Sequence, residues 1–249
     1  MKFSTLKENL KEGLYLVGHV AGKNQNLPIL NNIMIEAQEG GIKLVTTNLE
    51  IGVVHTIRGK IEKEGVYTVN SKVISDYINL LPNKQINIEK QEEDLSIQCE
   101  NYKTKIKGQS ADDFPLIPTV DRSNGFGVDI KEFKKALSKV VFAVASSESR
   151  LELSGVVFVI GNNKLTMAAT DSYRLAEKEI DIRTEGTQGD QNNPEEAQQK
   201  IIVPAKTLQE LIRILSGLKD NGSMEEEGKE LKFYISENQI LFTVENTEL

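Results

Sequence analysis

The sequence predicts an α+β protein built from two copies of one domain, each with antiparallel sheets and two helices. Three observations lead there. An internal repeat runs almost the whole chain, helix-spaced apolar residues open each copy, and short alternating strands follow. Shifted by 123 residues, the first half lies on the second without a gap for some fifty positions. Phe3 falls on Phe126, Leu10 on Phe133, Leu14 on Leu137 and Val17 on Val140. Leu30 then falls on Leu153, Ile33 on Val156, Ile35 on Phe158, Ile42 on Leu165 and Leu44 on Met167, and Thr47-Asn48 lands on Thr170-Asp171. After a register jump of 11, Val69 meets Val203 and Lys72 meets Lys206. Further on, Ile86, Ile88, Leu95 and Ile97 meet Leu231, Phe233, Ile240 and Phe242.

Each copy starts with a helix, over 5–20 and over 129–145, because Leu6, Leu10, Leu14 and Val17 recur at helical spacing, as do Phe133, Leu137 and Val140. Asp129 suits the N-cap of the second. Two strands follow in each, NIMIEA and IKLVTT, then VVFVI and KLTMAAT, joined by Gly/Asn turns. A third strand leads to a second helix, about 71–81 and 205–218, and then to the alternating strands INIEK, LSIQCE, LKFYI and ILFTVE. The polar run 184–199 reads as an exposed, mobile loop. Turn-formers and prolines in FPLIPTVDRSNG (114–125) place the boundary between domains 1–122 and 123–249. By the repeat, Leu249 stands where Thr104 stands, so the second copy lacks a counterpart of KIKGQSADDFP and is expected to be truncated.

At 249 residues, 39% hydrophobic and 27% charged, the chain is long and mixed enough for sizeable cores. No apolar run reaches the roughly 20 residues a bilayer demands, and MKFSTLKENL is no signal peptide. A single Cys99 forms no internal disulfide and suits a reducing cytoplasm. His19 and His55 stand far apart in apolar contexts, which favours half-buried neutral imidazoles over a metal site, and no cofactor is expected. Net charge of −7 argues against nucleic acid until the charges are located. The four expected helices carry 0, 0, +2 and +2, leaving −11 elsewhere. Lys131, Lys135 and Lys139 form one stripe opposite Phe133, Leu137 and Val140, and the last helix adds Lys206 and Arg213. Acid gathers in EKQEED, MEEEGKE and NNPEE. Such a chain could hold a polyanion against its helices through phosphate contacts that read no sequence and weaken with salt.

The densest polar cluster is MAATDSYRLAEKEI (167–180). A catalytic reading would make Asp171 a base or nucleophile. Its repeat counterpart is Asn48, no His lies near in sequence and no second carboxylate shares the turn, so no catalytic residue is expected. Asp and Asn interchange where the task is to bind backbone N–H groups in a turn. Ser172, Tyr173 and Arg174 replace Leu49, Glu50 and Ile51 of the first copy. The plain structural alternative pairs Arg174 with a nearby acid such as Glu152 and makes Leu175 part of the core.

MKF at the start, LPILNNIMIEA (27–37), TTNLEIGV (46–53), DDFP (112–115), LSGVVF (153–158) and ATDSYRLA (169–176) together resemble the bacterial sliding clamp family, the β subunit of DNA polymerase III. The resemblance covers essentially the whole chain and corresponds to the first two of the family's three domains. It implies the DNA-clamp fold: repeated domains with sheets outside and helices lining a hole around duplex DNA, two subunits closing head to tail. It implies a processivity factor with no catalytic activity, partnered by the replicative polymerase, the clamp loader and other proteins that carry clamp-binding peptides. Carried over by position, Leu153, Thr170, Ser172, Tyr173, Arg174 and Leu175 form the wall of a peptide pocket. DNA contacts fall on Lys23, Asn24, Lys72, Arg150 and Lys206. The family often has Arg near position 24, and some members have His where this chain has Tyr173. The edge Tyr102, Lys103, Thr104, Lys105, Ile106 and Lys107 corresponds to the subunit interface. Without a third domain the chain is expected to be monomeric. The competing expectation is a two-domain acidic protein-interaction module that encircles no DNA.

Overall fold

The computed structural model describes residues 1–22, 26–146, 150–185, 199–218 and 229–249. The chain folds as two units, Met1–Pro118 with Glu245–Leu249, and Thr119–Val244.

The first unit opens with strand β1 (Lys2–Leu6) and helix α1 (Lys7–Gly18). Strands β2 (Asn32–Gln38), β3 (Gly41–Thr47), β4 (Gly52–Ile57), β5 (Lys60–Lys63) and β6 (Gly65–Asn70) lead to helix α2 (Ser71–Leu80). Strands β7 (Gln85–Gln91), β8 (Asp94–Cys99) and β9 (Tyr102–Gln109) complete it. All pairings are antiparallel, in the order β4-β3-β2-β6-β9-β8-β7-β1-β5. The expected helix at 5–20 is therefore shorter. Phe3 and Thr5 pair with Ile88 and Ile86, so the first residues bury as a strand. Asn70 caps α2, its side chain accepting from the Val73 N–H at 3.1 Å. At Gly13 the helix lies so close to the sheet that a Cβ would stand 2.7 Å from Leu44 Cδ1.

The second unit repeats this order with β10 (Gly125–Asp129), α3 (Ile130–Ser138), β11 (Gly155–Gly161), β12 (Lys164–Thr170), β13 (Leu175–Asp181) and β14 (Arg183–Glu185). Strand β15 (Gln199–Pro204), helix α4 (Ala205–Gly217) and strands β16 (Glu230–Ser236) and β17 (Gln239–Val244) follow. Residues that the repeat superposes make the same pairs. Phe3 faces Ile88 as Phe126 faces Phe233, Ile33 faces Val69 as Val156 faces Val203, and Ile35 faces Leu44 as Phe158 faces Met167.

Asp129 caps α3 as expected, accepting from Glu132 N–H at 2.9 Å. The helix stops at Ser138, not 145. Lys139 and Val140 donate back to Ala136 and Leu137, three-residue bonds that tighten the last turn, and Val141–Ala143 form a separate 3₁₀ turn. The adjacent β-branched Val140 and Val141 keep the apolar spacing while weakening the helix. The core of this unit is aromatic: Phe133 meets Phe158 edge-on at 6.3 Å and Phe242 at 6.4 Å, and Phe126 stacks on Phe233 at 5.2 Å. Most of the 184–199 run lies outside the described residues.

The last strand, β18 (Thr247–Glu248), pairs with β4 of the first unit, Thr247 opposite His55 and Glu248 opposite Val54. His55 is buried there, with Nδ1 2.8 Å from Thr247 Oγ1. Burial pushes its imidazole below the ordinary value, with Glu12 and Glu245 opposing. His19, expected to be half-buried, is exposed at the end of α1 because α1 closes at Gly18.

Candidate functional site

Two turns built on the same chemistry sit at matching places in the two units. In the first, Asn48 Oδ1 accepts from the N–H groups of Glu50 at 3.0 Å and Ile51 at 2.7 Å, and Thr47 Oγ1 accepts from Leu49 N–H. In the second, Asp171 Oδ1 accepts from Tyr173 N–H at 3.0 Å and Arg174 N–H at 2.9 Å, and Thr170 Oγ1 accepts from Ser172 N–H. The residue after each Asn or Asp adopts a left-handed conformation, Leu49 at φ 78° and Ser172 at φ 77°. Asp171 is thus committed to the backbone. Its carboxyl is held below the usual carboxylate range chiefly by the Arg174 and Tyr173 N–H groups. A carboxylate so engaged is a poor proton acceptor.

What differs is the display. Arg174 Nε donates to Asp171 Oδ2 at 2.9 Å, Nη2 donates to the Phe142 carbonyl at 2.9 Å, and the guanidinium carbon lies 5.5 Å from the centre of the Phe142 ring. Glu152 is not its partner, because Asp171 three residues earlier is already in reach. Thr170 Oγ1 closes the turn by donating to the Arg174 carbonyl at 2.7 Å. Tyr173 is 98% exposed, Leu175 70% and Phe142 57%, so Leu175 is surface, not core. Leu153 is half-buried in the 3₁₀ turn Leu151–Leu153 just before β11, its carbonyl accepting from Ala145 N–H. The β11–β12 register, continued from Val157 opposite Ala168, brings Gly155 level with Thr170, so Leu153 belongs to the sheet end that carries the turn. Thr170, Ser172, Tyr173, Arg174 and Leu175 are brought together by the turn itself. Phe142 was missed: read inside a continuous helix, it gave no signal beyond an aromatic in an apolar run.

Of the basic positions, Lys23 and Asn24 lie outside the described residues. Lys72 and Lys206 are the second residues of α2 and α4, both exposed, and Arg150 is exposed before the Leu151–Leu153 turn. A lysine in the first helical turn opposes the helix dipole, at a cost of about 0.3–1 kcal/mol, yet both units carry one. Lys131 and Lys135 on α3 and Lys139 just past its end are exposed. Arg213 departs from the basic stripe: Nε and Nη2 both donate to buried Glu210 Oε1, at 2.9 and 2.6 Å. Observed helix bounds reduce the charge of α4 to +1.

In β9, Tyr102–Lys107 pair with β8 along one side, whereas β6 takes only Gly108 and Gln109. Tyr102, Lys103, Lys105 and Lys107 are exposed, Thr104 is half-buried and Ile106 is buried. A depression of about 690 Å³ in the first unit, lined among others by Glu39, Ile57, Arg58, Ile61, Glu62 and Asn246, includes none of the expected site residues. Among the described residues no group of His, Cys, Asp and Glu could hold a metal ion, and no helix is long and apolar enough to cross a membrane.

Residues 1–118 match the DNA polymerase III beta subunit, N-terminal domain, and residues 127–249 match its central domain. The chain belongs to the DNA polymerase III beta subunit family. It is 28% identical over 229 residues to the beta sliding clamp of Staphylococcus epidermidis, covering 88% of this chain and 56% of that protein. It is 27% identical over 257 residues to the beta sliding clamp of Bacillus subtilis, covering 99% of this chain and 63% of that one. The crystal structure of the DNA polymerase sliding clamp from Bacillus subtilis superposes with a TM-score of 0.87 at 26% identity, over 100% of this chain and 63% of that one. The chain thus spans less than two-thirds of the length of these relatives. The clamp fold expected from the sequence is the fold observed.

Proposed function

We propose that this chain supplies two domains of a DNA sliding clamp, a processivity factor that encircles duplex DNA and tethers the replicative polymerase through a peptide pocket on the second unit. One observation carries the reading. A turn shared by both units displays Tyr173, Arg174 and Leu175 only in the second, where they stand beside exposed Phe142. Apolar anchors around a few fixed polar groups suit a short peptide, and Arg and Tyr are favoured hot-spot residues. Leu153, Thr170 and Ser172 complete the wall.

Around DNA, retention by a closed ring demands little affinity, and strong base contacts would resist sliding. Lys23, Asn24, Lys72, Arg150 and Lys206 need only make weak, salt-sensitive phosphate contacts, so the acidic net charge is no obstacle. Lys72 and Lys206 add their charge to the positive ends of helices. The open edge Tyr102–Lys107 is suited to pair with a further copy's sheet, which gives the full assembly a head-to-tail contact. The role is tethering in the cytoplasm, without catalysis or cofactor, with the clamp loader as a further partner.

The test uses fluorescein-labelled decapeptides tiling the replicative polymerase of the same genome. Arg174→Ala is expected to weaken the tightest of them at least about tenfold, as loss of an arginine hot spot does, while DNA association changes little. Equal peptide binding by wild type and variant would sink the pocket assignment.

A further inference from the structure

We infer that Phe142 is a positioning residue for Arg174, an inference that rests on reading 170–175 as a peptide groove. One residue holds the guanidinium on two sides. Its carbonyl takes the Nη2 edge at 2.9 Å and its ring lies under the cationic face at 5.5 Å, while Asp171 takes Nε. Buried Val140 and Ala143 anchor the backbone on either side, which leaves the Phe142 ring outward and 57% exposed. An aromatic ring turned outward while Val140 and Ala143 nearby are buried is poorly explained by core packing and well explained by stacking with a guanidinium.

The repeat supports the coupling. The first unit has His19 at the position of Phe142 and Ile51 at that of Arg174, so platform and cation appear together in the second unit and are both absent from the first. A long arginine side chain loses much rotamer freedom when it is fixed on binding. Here that ordering precedes binding, which leaves more of each contact as affinity. With Nε engaged by Asp171 and Nη2 by the Phe142 carbonyl, Nη1 is the guanidinium nitrogen left to offer an occupant's oxygen, a peptide carbonyl or a carboxylate.

Phe142→Leu and Phe142→Tyr are compared in the wild-type and Arg174→Ala backgrounds of the full chain. Two readouts are used: the Arg174 Nε–H resonance without peptide, and affinity for the tightest peptide of the polymerase-tiling array. Phe142→Leu should broaden the Nε–H resonance through faster solvent exchange and weaken the peptide about two- to fivefold, the range expected for loss of an exposed cation–π contact. Phe142→Tyr should restore both, and neither substitution should change affinity once Arg174 is alanine. An unaltered Nε–H resonance in Phe142→Leu would overturn the inference, as would an equal affinity loss in the Arg174→Ala background. Failure of wild type to bind any peptide would instead remove the groove reading, and the resonance comparison alone would then decide the role of Phe142.

Discussion

Truncating Leu175 to alanine separates a docking surface from an ordinary surface leucine. The side chain opens β13 with 70% of its area in water, next to almost wholly exposed Tyr173. Burying a whole leucine side chain is worth about 1.5–3 kcal/mol. Since nearly a third is already covered, a peptide seated on it can gain about 1–2 kcal/mol, and alanine keeps a fraction of that. The expected loss is about 1–1.5 kcal/mol, or about five- to fifteenfold in Kd. Folding stability should stay within about 0.5 kcal/mol, because no core contact is removed. Leu49→Ala is the internal control: Leu49 is 61% exposed on the matching turn of the first unit, which lacks the arginine and tyrosine. Fluorescence anisotropy with the tightest polymerase-derived peptide gives the affinities, and urea denaturation gives the stabilities. Binding by Leu175→Ala within twofold of wild type, or an equal loss in Leu49→Ala, would refute the reasoning.

Three further outcomes are expected. Burial holds the His55 imidazole below its ordinary value, so the folded chain takes up a proton less readily than the unfolded one. Stability is therefore level above the unfolded value of about 6.5 and declines as pH falls below it. Urea midpoints should drop between pH 7 and pH 5, with a shallower slope in His55→Asn, which keeps a polar group near Thr247; an unchanged slope would remove His55 as the cause. Leu49 sits at φ 78° with little side chain buried, so Leu49→Asn should raise stability by about 0.5–1 kcal/mol, read from the same urea curves, and a loss would contradict a strained turn. Cys99 is buried, and burial pushes its thiol up, so reaction with dithionitrobenzoate should be at least about a hundredfold slower in buffer than in concentrated urea. Comparable rates would mean that the end of β8 opens readily.

The repeat made most of the fold legible, because offsets read from apolar matches alone superpose residues that share a ladder position, such as Phe3–Ile88 and Phe126–Phe233. Element ends were harder. Lys2–Leu6 runs into α1 without a turn residue, so nothing in its apolar spacing separates strand from helix. Val140 and Val141 extend the helical pattern beyond the point where the backbone changes to 3₁₀ geometry. At the candidate site, the backbone role of Asp171 followed from its match to Asn48, whereas the partner of Arg174 did not. A three-residue separation suits Asp171 once the turn is known, but the Phe142 carbonyl comes from 32 residues away, and only the folded chain brings it near. Arg213 shows the opposite lapse: its i,i+3 relation to Glu210 was visible in the sequence, yet formal charge alone placed it among the phosphate-facing cations.

The most direct measurement is an amide NMR titration of the chain with the tightest polymerase-derived peptide. Chemical-shift changes should concentrate at Leu153, at 170–175 and at Phe142, leaving the matching turn at 46–53 and the cleft around Arg58 unmoved. Changes centred on either of those places, or spread evenly over both turns, would contradict the assignment of peptide capture to the second unit.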